Sequence, residues 1–363
     1  MLRDTKLSVL RWATKARLPQ IVMSSGWRRS RLLILCYHGI ALDDEHRWCP
    51  GMYVTAEHFR ARLARLRELN CAVLPLGEAL ERLWAGSLPA RSVAITFDDG
   101  FCDFYKLAWP ILKEFSWPAT VYLTTYYSER HEWPVPDLMS GYILWKADGR
   151  RLDWPELFRQ PVLLSAETRR DVEAAIYEHW IKTEMSAREK NDMLIALAGR
   201  LRVDLADAGD KRLFRIMRSE EVKDAACGGV DIELHTHRHR VFRQRERFWR
   251  EIDENRERIC GLTGRNAHHF CYPGGFRLNE FPLWLRQRGV ISATTCEVGM
   301  ASQASNPMLL PRLLDTGVSD EEFDAWVTGL ASFMPKRVYP ASPTQLGQES
   351  APEGGALDSS IPA

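Results

Sequence analysis

Apolar and polar positions along this chain follow two alternating rhythms. Short continuous apolar runs at Leu32 to Cys36, Ala72 to Leu74, Val93 to Ile95, Ala119 to Leu123, Val230 to Leu234, His269 to Tyr272 and residues 290–294 read as buried strands. Between them, apolar residues recur three and four apart, the spacing of one helix face. Thr55 is placed to cap a helix striped by Phe59, Leu63, Leu66 and Leu69, and Gly264 to close one over Phe248 to Leu262. Further helices are predicted at Leu76 to Leu83, Phe104 to Phe115, Glu220 to Ala226 and 280–288. Repeated strand–helix units predict an α/β protein with a parallel sheet or barrel. Chemistry in such folds gathers at the carboxyl ends of strands, where His38, Asp98, His235 and Tyr272-Pro273-Gly274 all fall.

The rhythm breaks at about 126–214. That stretch carries Trp133-Pro134-Val135-Pro136 and then long charged helical patterns at 166–182 and 187–203, a mainly helical insertion over one rim of the fold. Residues 32–335 form the expected domain around it. Residues 1–31 hold eight Lys and Arg against the single acid Asp4, and form a basic arm with a loosely amphipathic segment at 4–18. Residues 336–363 are polar and rich in proline, serine and glycine, the composition of a disordered tail.

Composition narrows the class. The 363 residues are 45% hydrophobic and 27% charged, in keeping with a globular protein with a large core, and the net charge of +1 gives no reason to expect nucleic-acid binding. Eight cysteines are scattered without CxxC pairs or framework spacing, which favours a reducing compartment. Cys36 and Cys271 lie within apolar runs and read as small buried hydrophobes. No apolar stretch approaches ~20 residues, and the N-terminus lacks the apolar core of a signal peptide. The expected location is cytoplasmic, with peripheral contact at the inner membrane face through residues 1–31.

Asp98 and Asp99 stand where the run Val93–Ile95 stops, with Gly100 behind them. Neighbouring side chains on a strand point apart, so both reach one site only if the turn at Gly100 bends the chain. Two carboxylates so close call for a cation. His235-Thr236-His237-Arg238-His239 offers neutral nitrogens, and the four-residue spacing of His235 and His239 suits one face of a helical turn. Two imidazoles and one carboxylate leave open positions on a divalent metal, as hydrolytic sites require.

Thr96-Phe97-Asp98-Asp99-Gly100 followed by His235-Thr236-x-x-His239 resembles the polysaccharide deacetylase family of NodB-homology domains, whose first two motifs are TFDDG and H-[S/T]-x-x-H. Phe270-Cys271-Tyr272-Pro273-Gly274-Gly275 resembles that family's groove wall. Leu35-Cys36-Tyr37-His38-Gly39-Ile40 resembles the opening of the branch that includes poly-N-acetylglucosamine deacetylases. The likeness covers roughly residues 32–125 and 215–315. It implies an irregular (β/α) barrel, with Asp98 as general base and Asp99, His235 and His239 as metal ligands. Zinc is the first expectation for the ion, with cobalt, nickel or manganese as alternatives. By resemblance Tyr272, Pro273 and Gly274 wall the substrate groove, and the Gly274 N–H meets the oxyanion. Two departures stand out. Cys271 occupies the position where the family often has an arginine that orients the aspartate, and no histidine follows His269 to serve as the late general acid. His38 takes that place by resemblance to the branch with the early Tyr-His element. The Leu-Pro-Arg run at 310–312 matches nearby family members but supplies no acid.

The resemblance implies a metal-dependent hydrolase that removes an acetyl group from an N-acetylated sugar in a polysaccharide or glycoconjugate. A lipid-linked or nucleotide-linked saccharide would reconcile that activity with a cytoplasmic location. The alternatives are a C–N hydrolase of small amides or cyclic imides, and a non-catalytic carbohydrate-binding relative.

Overall fold

The computed structural model describes residues 2–334, so the expected tail at 336–363 lies outside the described residues. Contacts divide the chain into two compact units: residues up to Glu132 together with those from Lys211 onward, and Trp133–Asp210.

Seven parallel strands close into a barrel in the first unit. They are β1 (Arg31–Tyr37), β2 (Ser92–Phe97), β3 (Thr120–Leu123), β4 (Asp231–Leu234), β5 (His269–Cys271), β6 (Ser292–Val298) and β7 (Leu310–Leu314). Their order around the barrel is β1-β7-β6-β5-β4-β3-β2, and β2 pairs back with β1 over Leu33–Tyr37 and Val93–Phe97. Every residue of β2 is buried, because one face meets helices and the other the barrel interior. This is why these strands read as continuous apolar runs rather than as alternation.

The interior is filled in layers. Leu32 and Ile34 of β1, Ala94 of β2 and Leu310 of β7 pack with Leu76, Ala79, Leu80 and Leu83, one face of the helix Leu76–Trp84. Outward-facing Tyr37 and Phe97 stack at 5.4 Å between ring centroids, and both meet Phe59 edge-on. Phe59 belongs to the helix Ala56–Glu68, which starts where the Thr55 side chain accepts from the His58 N–H.

One expected helix differs in its first turn, and two further elements carry no expectation from the sequence pattern. The Phe104 to Phe115 helix opens with a π turn over Phe104–Ala108 before an α-helix from Trp109 to Phe115. Pro110 has no N–H to donate to a carbonyl four residues back, and its ring crowds that carbonyl, so the turn widens. Strand β7 carries Pro311, which in sequence argues against a strand. The proline falls where the register between β6 and β7 shifts between Thr294 and Val298, so no regular ladder bond is lost. After β7 comes a helix over Asp320–Thr328, capped by Ser319, whose side chain accepts from the Glu322 N–H.

Trp133–Asp210 is a small unit of helices over Pro136–Lys146, Arg169–Lys182 and Ala187–Arg200 with a two-stranded antiparallel hairpin pairing Arg151–Leu152 with Val162–Leu163. Ser186 and Glu189 form a reciprocal capping box at the last of these helices. Trp154 and Trp180 are buried in it.

Candidate active site

Asp98 continues the inward-facing register of Ala94 and Thr96, and its N–H donates to the Tyr37 carbonyl at 2.9 Å as if β2 ran one residue further. Asp99 would then face the outer helices. Its backbone instead takes φ 67, followed by Gly100 at φ 82. Aspartate tolerates this left-handed conformation better than most side chains. The bend therefore begins at Asp99 itself, one residue before the expected turn at Gly100. A side chain at Gly100 would be strained, since its φ is 82 and a Cβ there would lie 2.4 Å from Leu123 Cδ1, which would have to shift.

The bend sends the Asp99 carboxylate to the histidines. Asp99 Oδ1 lies 3.1 Å from His235 Nε2 and 3.1 Å from His239 Nε2. The segment carrying these histidines is not the helical turn their spacing suggests. Thr236 at φ 62 and His239 at φ 55 are both left-handed, which breaks any helix and folds the loop back so that both rings point one way. The Thr236 hydroxyl accepts from the Arg240 N–H at 3.1 Å and ties the loop's ends.

Residues absent from the sequence motifs pin that loop. Asn255, buried on the helix Arg245–Thr263, accepts the His235 N–H at 2.9 Å and donates to the Leu123 carbonyl and to Thr125 Oγ1. Thr125 Oγ1 in turn lies 2.8 Å from His237 Nδ1. Glu251 accepts the Arg238 N–H at 2.8 Å and pairs with its guanidinium. Burial among arginines pushes His237 down to about 3, so it stays neutral and serves as a strut. A polar loop crossing a barrel rim needs such partners for its buried amides.

Asp99, His235 and His239 place one donor atom each within 4.8 Å of one another, a spacing that fits one divalent ion. His235 Nδ1 lies 2.9 Å from the Cys271 carbonyl. A carbonyl accepts only, so Nδ1 carries the proton and the Nε2 lone pair faces Asp99 and His239. A second trio, Asp98, His235 and Cys271, is equally close. There the Arg312 guanidinium already lies against two of the three donors, 2.8 Å from Asp98 Oδ2 and 3.1 Å from Cys271 Sγ. The first trio suits a metal.

Arg312 is the residue that the sequence motifs missed. Its two terminal nitrogens grip both carboxylate oxygens of Asp98, at 2.7 and 2.8 Å, and its Nε donates to the Thr295 carbonyl at 3.1 Å. Burial alone would raise Asp98, but the guanidinium holds it well below the usual carboxylate range. Asp98 is thus an ionised, oriented acceptor. The missing family arginine at Cys271 has its chemical equivalent two strands away, and the Leu-Pro-Arg run was the available signal. Cys36 and Cys271 are not inert filler either: both thiols point at Asp98 Oδ2, from 3.6 and 3.3 Å.

His38 follows β1 and lies 3.8 Å from Asp98 Oδ2. Burial lowers its pKa, opposed by the charges of Asp98 and Asp99. Nε2 is the ring nitrogen that faces Asp98, while Nδ1 is buried without a hydrogen-bond partner. Tyr272 turns into the wall instead of the groove: its hydroxyl donates to the Met308 carbonyl at 3.0 Å, its N–H donates to Thr294, and its ring is 1% exposed. Pro273–Gly275 forms a tight turn in which Gly274 has φ 59. The Gly275 and Phe276 amides close that turn onto the Tyr272 and Pro273 carbonyls.

A sequence profile described as polysaccharide deacetylase matches residues 85–291. The chain is 32% identical over 94 residues to a poly-beta-1,6-N-acetyl-D-glucosamine N-deacetylase of Escherichia coli (strain K12), a stretch covering 26% of this chain and 14% of that enzyme. It is 36% identical over 72 residues to the enzyme of the same name from Staphylococcus epidermidis, covering 20% and 25%. Among solved structures, a Streptococcus pyogenes deacetylase, PplD, in complex with acetate matches with a TM-score of 0.54 at 18% identity, over 84% of this chain and 99% of that one. IcaB from Ammonifex degensii matches with a TM-score of 0.53 at 18% identity, over 82% and 97%. At those identities the structural likeness concerns the fold.

Proposed function

This chain belongs to the polysaccharide deacetylase family, and on that premise we propose that it hydrolyses the N-acetyl group of an amino sugar within a polysaccharide or glycoconjugate, with the help of a divalent ion. The observation that carries the reading is the division of labour between adjacent aspartates. Asp99 faces two imidazoles at 3.1 Å, and Asp98 is gripped by Arg312.

When bound at Asp99, His235 and His239, a zinc-type ion supplies Lewis acidity toward the acyl oxygen and acidifies water. The remaining steps belong to the chain. Asp98, held ionised, accepts a proton from the attacking water. The Gly274 N–H, three residues beyond Cys271 and without a Cβ to close the groove, is offered to the developing oxyanion. His38, whose Nε2 lies 3.8 Å from Asp98 Oδ2, passes the proton that Asp98 has taken from the water to the departing amine, which leaves both side chains as they began. Arg312 keeps the Asp98 carboxylate in one plane throughout.

The test is acetate release from β-1,6- and β-1,4-linked N-acetylglucosamine oligomers, with and without chelator. Chelation should abolish release, Asp98→Asn should abolish it while leaving bound metal unchanged, and Asp99→Ala should lose the metal. Full activity of Asp98→Asn would end the base assignment, and indifference to chelator would end the metal reading. An enzyme specific for small amides or cyclic imides would release nothing from the oligomers.

A further inference from the structure

We propose that the outer face of the first helix and the corner that follows it form a docking surface for an anionic lipid bilayer. Helix α1 (Leu2–Lys15) buries Leu10 and Ala13 and packs on the helix Asp320–Thr328 and on α2 (Leu18–Ser24). Beside that buried strip, on the flank of the same helix, apolar side chains stand in solvent. Trp12 is 66% exposed, Val9 47%, and Ile21 on α2 65%. The first unit exposes Val9, Trp12, Ile21, Leu283, Ile291 and Phe333 as large hydrophobics. Four of these six lie on α1, α2 and the short turn Leu330–Phe333 that packs on α2. Scattered exposed apolar residues need no explanation, but clustered ones do.

Charge selects the occupant. Lys15 and Arg17, just beyond Trp12 in the chain, are exposed, in a segment with eight basic residues and one acid, of which Arg28 is buried and Arg11 is paired. Three acids of the neighbouring helix are ion-paired, Glu321 with Arg11, Asp320 with Arg62 and Asp324 with Arg65, although Arg62 is shared with Asp315 and Arg65 with Glu68. A second copy meeting this face about a twofold axis would set Lys15 and Arg17 near their own counterparts, a repulsive contact. A tryptophan and aliphatic side chains ringed by lysine and arginine match the boundary of an anionic bilayer, where the rings seat at headgroup level and the cations meet lipid phosphates. Among the described residues no helix is long and apolar enough to cross a membrane, so the contact is peripheral.

The attachment leaves the catalytic end free. The buried Arg28, just after α2, donates to the carbonyls of Val327 and Arg31 at 2.8 Å and of Ser92 at 3.4 Å. Arg31 and Ser92 are the first residues of β1 and β2, so the segment is fastened to the amino ends of the barrel strands. His38 and Asp98 follow the last residues of the same strands, roughly 20 Å away.

The experiment is flotation of the full chain with vesicles of phosphatidylcholine alone and of phosphatidylcholine with one quarter phosphatidylglycerol. Binding should appear with phosphatidylglycerol and weaken as salt rises. Trp12→Ser and the double change Lys15→Glu with Arg17→Glu should each lower the bound fraction about tenfold, with unchanged melting temperature and unchanged elution as a folded species. Equal binding to both vesicle types, or variants that bind like the parent, overturns the proposal. So does a concentration-dependent dimer that Trp12→Ser disperses, since the face would then be covered by a second copy.

Discussion

Replacing Arg312 by methionine tests the central electrostatic claim about the site. The change keeps most of the side-chain volume and removes the charge and its donors. Asp98 would keep only the two thiols at 3.3 and 3.6 Å and His38 at 3.8 Å. Both members of the pair are nearly fully buried, with side-chain exposures of 2% and 4%. Removing one partner of such a pair typically costs about 3–5 kcal/mol, because the other charge is left uncompensated. The pH dependence carries the sign. In the parent, Asp98 lies below its unfolded value of about 3.9, so its contribution is complete above that pH and is lost as the pH falls further. In the variant, burial without the guanidinium puts the folded value above the unfolded one. Its stability is then favoured at low pH and declines as pH rises toward the new folded value. The difference between the two proteins must therefore widen from pH 4.5 to pH 7.5, by about 1.4 kcal/mol for each unit by which the variant's folded value exceeds about 4.5. Urea denaturation of both proteins at the two pH values, in chelator, measures it. A loss that is equal at both, or larger at pH 4.5, would mean that Arg312 does not hold Asp98 ionised. Arg312→Lys restores charge without the fork and should recover part of the stability but little of the turnover.

Other expectations follow from single contacts. Gly100→Ala forces a Cβ into Leu123 at a left-handed φ and should lower stability by about 1–3 kcal/mol in thermal melts. Asn255→Leu leaves the buried His235 N–H without its acceptor and frees the histidine loop, so metal affinity measured by competition with a chromophoric chelator should fall about 10–100-fold. His38→Gln should lower kcat by about 10²–10⁴-fold with metal content unchanged. A His38→Gln enzyme of parental kcat would place the proton donor elsewhere.

The β/α order, the strand ends that carry polar groups, and the pairing of an aspartate dyad with a distant histidine pair were legible because each is a local signal. A strand buried on both faces must be apolar throughout, so Val93–Ile95 and Leu32–Cys36 announce themselves without any partner in view. Chemistry cannot sit inside such a run, so it collects where the run ends, at His38, Asp98 and His235. Spacing misled where backbone conformation outweighed periodicity. His235 and His239 share a direction because Thr236 and His239 adopt positive φ, a state stabilised by bonds to Asn255 and Glu251 that no motif contains. Asp99 likewise reaches the histidines through its own left-handed turn. Pro311 hid a barrel strand whose tolerance for proline depends on a register shift in its neighbour.

Which charge answers which is settled only once the chain is folded. Arg312 lies 214 positions from Asp98, and only the parallel closure β7–β1–β2 brings it into the barrel beside that carboxylate. Side-chain alternation along a strand is fixed by the local chain, so sequence alone could determine that Asp98 stands at an inward position and that an apolar wall surrounds it. The register that gathers Arg312, Cys36 and Cys271 around the Asp98 carboxylate is fixed by the hydrogen-bonded ladders of strands far apart in sequence. A charge buried in that wall must find its counterion through those ladders.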